Sequence, residues 1–377
     1  MFRIYHSLSL SMASFKRSLI CTYLLLLSAN SMAAVQITWQ QATIPMKEAG
    51  PKGLEALFVW PNDGLKHPLA LISHGSPRDG AARPQMTALS YLPIAKEFAR
   101  RGFAVAVVLR RGYGGSGGGW AEGYKQCQFS NYKQAALAAS TDLHAAINYL
   151  GTQPQFDTNE IVAVGVSAGG FAMVALTAID PPPGLKAAIS FAGGRGSMAR
   201  DKVCHPESLV AVFDDLGKTS RVPMLWIYAK NDHFFNPALA ARFYSAFTKE
   251  GGKVDFISAP PYGKDGHFLF SMDGVKQWEP WVDAFLQQQH LVFVKQLLSL
   301  PPPLKAPDNL PESAKKAFAA YAISPPHKAF VLSSDGAFGW RTGQRTEEKA
   351  KEDALAYCKR YSPKNCKLIA VDDELVK

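Results

Sequence analysis

The chain has 377 residues, enough for one large hydrophobic core and a small second one. Its 41 lysines and arginines outweigh 31 acidic residues, giving a formal charge of +10. These charges are dispersed apart from short clusters such as Lys315-Lys316, which fits a basic soluble protein and argues against a nucleic-acid partner; attraction to an acidic cell-envelope surface stays open.

Arg3, Lys16 and Arg17 precede an apolar stretch from Leu19 to Leu27, and Ser31-Met32-Ala33-Ala34 follows it. Basic, apolar and small residues in that order describe a secretory signal peptide over residues 1–33, cleaved near Ala33 or Ala34. Met12 would give a tidier start. The apolar stretch is too short to span a bilayer, and Ile20 before Cys21 argues against a lipid anchor, so a periplasmic or secreted protein is expected. Without the three basic residues the charge is about +7. Export leaves Cys127, Cys204, Cys358 and Cys366 in an oxidising compartment. Of the connectivities open to them, the sequence proximity of Cys358 and Cys366 favours Cys358–Cys366 with Cys127–Cys204. No C-x-x-C occurs, so neither a metal nor redox use is expected.

Strand-like runs then alternate with helical stretches through residue 298. Strands are predicted at Leu54–Trp60, Leu69–Ser73, Phe103–Leu109, Ile161–Val166, Ala187–Phe191, Met224–Ala229 and Val254–Ser258. Helices are predicted at Pro93–Arg101, Tyr132–Leu150, Ala168–Ile179, Pro237–Lys249 and Trp278–Gln289. Repeated strand–helix units imply an α/β domain over residues 34–298, with a mostly parallel sheet covered on both faces. Val35–Trp39 and Leu54–Trp60 could supply an antiparallel edge. Pro301-Pro302-Pro303, Pro307 and Pro311 mark a semi-rigid linker, residues 299–312. Residues 313–377 read as a small α+β domain, with an alternating run Ala329–Ser333, glycines at 336, 339 and 343, a charged helix Glu347–Arg360 and a final strand Lys367–Val371.

The chemistry centres on Gly165-Val166-Ser167-Ala168-Gly169, a G-x-S-x-G between a β-branched strand and an Ala-rich helix. A serine on so sharp a strand-to-helix turn needs small neighbours, and its hydroxyl then stands beside a helix N-terminus whose N–H groups face developing negative charge. Gly114-Gly115-Ser116-Gly117-Gly118 fits the same pattern, and Gly112 to Gly117 fits G-x-G-x-x-G, but no helix follows, so a glycine-rich loop is the reading there.

A serine hydroxyl needs a base, and the base needs an orienting acid. Asp232, in the loop after Met224–Ala229, and His267, in the loop after Val254–Ser258, follow Ser167 in the order Ser…Asp…His. His233 and His205 are competing bases, and Asp265, Asp214 and Asp215 competing acids. Asp232 could instead cap the helix at Pro237. Two oxyanion donors are expected: the Ala168 N–H, and the Ser76 N–H from Ser73-His74-Gly75-Ser76-Pro77-Arg78, since Pro77 has none. His74 reads as a buried residue holding that loop. Arg78 and Arg111 are candidate contacts for a substrate carboxylate, with structural salt bridges an equal alternative. Trp120, Tyr124, Phe129 and Phe234 are candidate pocket walls, with core packing an equal alternative. The Cys127–Cys204 bridge would tie the loop after Arg111 to an insertion around Arg195–Ser220.

With these residues, positions 35–298 resemble the α/β-hydrolase superfamily, specifically exported dienelactone-hydrolase-like and prolyl-oligopeptidase-like esterases. The resemblance rests on His74-Gly75-Ser76-Pro77, Arg111-Gly112-Tyr113-Gly114-Gly115-Ser116, the Ser167 turn, Asn231-Asp232-His233-Phe234-Phe235 and Asp265-Gly266-His267. It implies the α/β-hydrolase fold and Ser167, Asp232 and His267 as nucleophile, acid and base. Dienelactone hydrolases proper use cysteine; serine here favours ordinary carboxylic esters. The tail resembles small exported two-cysteine domains of unknown function. The expectation is therefore an exported serine hydrolase acting on small-molecule carboxylic esters through an acyl-enzyme, without cofactor. A serine peptidase or amidase, and a non-catalytic envelope-binding protein touching the envelope through its C-terminal domain, are the rivals.

Overall fold

The computed structural model describes residues 35–362 and 364–376. The expected leader, residues 1–33, lies outside them. The chain from Val35 onward forms one compact unit. Among the described residues no helix is long and apolar enough to cross a membrane.

The strands of the large sheet are β1 (Ile37–Met46), β2 (Gly50–Pro61), β3 (His67–Ser73), β4 (Ala104–Val108), β5 (Phe156–Val166), β6 (Leu185–Phe191), β9 (Met224–Ala229) and β10 (Val254–Ala259), with the short ribbon β7 (Ser197–Ala199) and β8 (Lys202–Val203) outside it. Their spatial order is β1-β2-β4-β3-β5-β6-β9-β10. β1, β2 and β4 pair antiparallel, as the N-terminal edge led one to expect, and the strands from β4 to β10 run parallel.

Side chains alternate across this sheet, because successive residues of a strand point to opposite faces. Leu69, Leu71, Ile161 and Ala163 face one core; Ala70, Ile72, Val162 and Val164 face the other. Helices α2 (Tyr132–Leu150), α3 (Ala168–Ala178), α4 (Pro206–Gly217) and α5 (Pro237–Lys249) cover the first face, and α1 (Leu92–Ala99) and α6 (Val275–Gln288) cover the second. Burial on both faces is why β4, β5 and β6 read as continuous apolar runs. Starting at β3, the chain crosses to β4 on one side and returns through α2 to β5 on the other. That reversal opens a crevice at the carboxyl ends of β3 and β5, where open α/β sheets bind ligands.

The C-terminal part is a four-stranded sheet in the order β12-β11-β13-β14, built from β11 (Ala329–Ser333), β12 (Phe338–Arg341), β13 (Cys366–Val371) and β14 (Glu374–Leu375). Helix α7 (Glu312–Ala322) packs Phe318 and Tyr321 on Phe330, and α8 (Glu347–Lys359) packs Ala350, Ala354 and Cys358 on Ala329 and Val331. Both expected disulfides are present, Cys127–Cys204 and Cys358–Cys366.

Sequence periodicity missed α4, α7, the β7–β8 ribbon and the short strands β12 and β14. Strands of two to four residues carry too little alternation to register. Helix α7 begins at Glu312, directly after Pro311, whose fixed φ opens a helix as readily as it extends a linker.

Candidate active site

Ser167 follows β5 directly and caps α3 with φ 56° and ψ −119°, a left-handed conformation costly for a residue with a side chain. The surroundings hold it there. Its N–H donates to Phe191 O at 2.9 Å, while its carbonyl accepts from Phe171 N–H and Gly194 N–H, each at 3.0 Å. The small flanking residues are compulsory: a Cβ on Gly169 would stand 2.1 Å from Ser73 O, and one on Gly165 2.2 Å from Gly169 O. No side chain fits either contact.

Asp232 and His267 meet beyond β9 and β10. Asp232 is 1% exposed. Its Oδ1 accepts the amides of Phe234 and Phe235 at 2.7 and 2.9 Å, and its Oδ2 lies 3.1 Å from His267 Nδ1. With Nδ1 donating to the carboxylate, Nε2 is left as the basic nitrogen. Asp265 Oδ1 accepts the amides of both His267 and His233, and Gly266 N–H donates to Asn231 O, so the two loops are laced together. The His267 ring stacks on Phe234 at 3.8 Å between centroids, and Phe234 lines the same cleft as Ser167. Ser167 Oγ makes no hydrogen bond among the described residues; in unliganded sites the nucleophile–base bond is commonly open and tightens around substrate.

The competing groups are occupied elsewhere. His233 Nδ1 pairs with Asp201, and His205 caps α4 by accepting from Ser208 N–H. Asp214 pairs with Lys218, just after α4, and with Lys249 on α5, Asp215 pairs with Lys218, and Asn236, rather than Asp232, caps α5.

Ser167 opens into a narrow cleft of about 70 Å³ that Ser76 and Ala168 also line. Neither of their amides donates a hydrogen bond among the described residues, Ala168 because it heads α3. A Cβ on Gly75 would lie 3.2 Å from Ser167 Cβ, so the loop after β3 passes directly beside the hydroxyl. His74 holds that loop: its Nε2 accepts Arg110 N–H at 3.0 Å and its Nδ1 donates to Gly75 O at 2.6 Å. Burial, reinforced by the Arg110 guanidinium, pushes its pKa well below the ordinary histidine value, so it is neutral.

Beneath the cleft lies a buried ionic network that sequence reasoning missed. Glu122 pairs with both Arg110 and Arg195, and Tyr113 Oη donates to it at 3.2 Å. Burial raises the Glu122 pKa, but the two guanidiniums outweigh it and hold the carboxyl down at about 2. Arg195 lines the cleft, and its Nε is buried without a partner among the described residues. Only the alternation of β4 hinted at Arg110, which continues the Ala104, Ala106, Val108 face. Glu122, in a glycine-rich loop, carried no periodic signal.

The expected substrate arginines divide. Arg78 lines the cleft, where its guanidinium covers Phe234 at 3.4 Å and donates to Ser197 Oγ and His233 O. Arg111 is a correction: it lies outside the cleft lining, in the turn after β4, where Asp142 of α2 takes both its N–H at 2.8 Å and its Nε at 2.6 Å. Phe129 is likewise no pocket wall, being 72% exposed, whereas Trp120, Tyr124 and Phe234 do line the cleft. Ser116 is buried as a loop residue whose Oγ donates to Leu109 O.

Residues 89–267 match the family model of the dienelactone hydrolase family. No curated protein matches the chain. Among solved structures, a Klebsiella pneumoniae protein assigned to the dienelactone hydrolases is 14% identical with TM-score 0.48, covering 67% of this chain and 99% of its own. An acylaminoacyl peptidase from Pyrococcus horikoshii is 16% identical with TM-score 0.47, covering 72% of this chain and 43% of its own, so the chain spans less than half of that peptidase. An esterase from Pyrococcus furiosus is 14% identical with TM-score 0.44, covering 67% of this chain and 90% of its own. Likenesses this distant do not speak to substrate.

Proposed function

We propose that this chain, which has the α/β-hydrolase fold and over residues 89–267 matches the dienelactone hydrolase family, is an exported serine hydrolase cleaving small carboxylic esters through an acyl-enzyme. The observation that carries the reading is the buried Asp232–His267 pair, whose imidazole stacks on Phe234, a wall of the cleft into which the strained-turn Ser167 opens. His267 Nε2 takes the Ser167 proton as Oγ attacks the acyl carbon, and later returns it to the leaving alkoxide. Asp232 holds the ring and stabilises the imidazolium. The Ser76 and Ala168 amides receive the tetrahedral oxyanion. Water then attacks the acyl-enzyme by the same route, releasing the acid.

An ester rather than an amide substrate is supported by the family that residues 89–267 match, which takes its name from lactone hydrolysis. Arg78 and Arg195 at the cleft favour an ester bearing negative charge. Export is supported by the leader-like N-terminus and by the two disulfides. The deciding experiment is fluorophosphonate labelling with peptide mass mapping, beside turnover of a panel of acyl esters and peptide anilides by the wild type and Ser167→Ala. An adduct on Ser167 with ester turnover lost in the variant is expected. A labelled protein that turns over only anilides would make it an amidase, and absence of an adduct would end the serine mechanism.

A further inference from the structure

We propose that Arg345, in the C-terminal sheet unit, is a positioning residue for the substrate cleft, so that this unit buttresses one cleft wall. The proposal rests on the reading of the Ser167 cleft as the substrate site. It starts from the glycine loop at residues 112–118, which the catalytic chemistry leaves without a role.

Glu55 on β2 gathers three separate segments onto one carboxylate. Its Oε1 accepts Ala88 N–H at 2.9 Å, and its Oε2 accepts Gly115 N–H at 2.6 Å and Arg345 Nη2 at 2.9 Å. Arg345 is the only ion-pair partner of Glu55 among the described residues. The other guanidinium nitrogen of Arg345 donates to Met86 O. The Glu55 and Met86 acceptors lie 31 residues apart in sequence, and one planar fork spans both. The contact is continued by Gly343, where a Cβ would stand 3.1 Å from Ser90 Oγ.

The segments so joined lead to the cleft. Gly114 N–H donates to Arg83 O at 2.9 Å, and the Arg83 guanidinium lies 3.8 Å from the centre of the Trp120 ring. Arg83 and Trp120 both line the cleft with Ser167. The far side of the loop is tied independently, by Gly117 N–H to Gly53 O and by Ser116 Oγ to Leu109 O. Loss of Arg345 therefore frees the Arg83–Met86 side and leaves the loop's anchorage to β2 intact. Glycine at 115 fits this role, since a Cβ there would meet Glu55 Oε2 at 2.8 Å and Arg345 Nη2 at 3.1 Å.

The test uses the full chain and compares wild type, Arg345→Ala and Arg345→Lys. Steady-state kinetics on a neutral ester is joined to amide hydrogen exchange over residues 83–90 and 112–120. For Arg345→Ala we expect KM to rise about two- to fivefold with kcat nearly constant, the scale of a half-exposed ion pair. Exchange should quicken at Ala88 and Gly115 and not in β5 or α3. Arg345→Lys, which keeps the charge and only one of the two acceptors, should recover part of the KM. Unchanged KM and unchanged exchange in Arg345→Ala would overturn the proposal, as would quickened exchange throughout the chain, which marks general destabilisation. If the wild type takes no fluorophosphonate, the reading of the cleft fails, and the exchange data still decide the buttress by themselves.

Discussion

His267 Nδ1 lies 3.1 Å from Asp232 Oδ2 across 35 residues of sequence, and both groups are almost wholly buried. A carboxylate at that position fixes which ring nitrogen carries the proton. Asp232→Asn keeps the shape and presents an amide, which favours the wrong tautomer. Its kcat on esters should fall by about 10⁴, with thermal melting little altered, whereas Ser167→Ala should fall further still. Steady-state rates beside melting curves separate a lost function from a lost fold.

The Arg110–Glu122–Arg195 network predicts acid sensitivity. The Glu122 carboxyl titrates at about 2 in the folded chain against an ordinary 4.5, so its contribution is complete above 4.5 and drains away as pH falls through the folded value. His74 acts earlier. Its folded pKa is depressed below 6.5, so under pH 6.5 the unfolded chain takes up a proton that the folded one refuses, and stability falls. Melting temperature should thus decline from about pH 6.5 downward and more steeply below 4.5. Glu122→Gln should cost roughly 3–5 kcal/mol at neutral pH, because two buried guanidiniums lose their counter-charge, and should flatten the lower part of that decline. Melting across pH 3–8 checks both, as an order-of-magnitude window.

The Cys127–Cys204 bridge closes 77 residues and joins two cleft walls, since Trp120 and Tyr124 precede Cys127 and Gly194 to Ser197 precede Cys204. Replacing both cysteines by serine should lower stability by about 2–4 kcal/mol. KM should rise more than kcat falls, because the loops that carry Asp232 and His267 do not include the bridge. Denaturant unfolding and ester kinetics on the double variant measure the two effects.

Gly169→Ala should abolish the site outright. The added methyl would stand 2.1 Å from Ser73 O and 2.6 Å from His74 O, both main-chain atoms that cannot rotate away. Relief requires the turn or the loop after β3 to shift. Folding should suffer by about 1–3 kcal/mol, and fluorophosphonate labelling of Ser167 should vanish even where the chain still folds. Labelling of a variant with native melting would contradict this.

The sequence exposed much of this arrangement because strand alternation and the sharp Ser167 turn are local constraints. The buried runs of β3, β4, β5, β6 and β9 could be read directly, as could the small residues that the turn requires. Asp232 and His267 were marked by their places just after strands, which in a parallel sheet put loops on one edge. Arg111 and Phe129 looked equally suitable by the same reasoning, because a loop residue's side-chain direction is not encoded by its neighbours in sequence.

What the chain determined alone was periodic or steric: alternating apolar residues that build the sheet, and glycines where backbone meets backbone. What tertiary structure decided was electrostatic and long-range. Arg110, Glu122 and Arg195 meet only because two loops, those after β4 and after β6, converge under the cleft, and Arg345 reaches Glu55 only because a second sheet packs beside the first. A charge gains a partner through distance in space, and no spacing along the chain announces it.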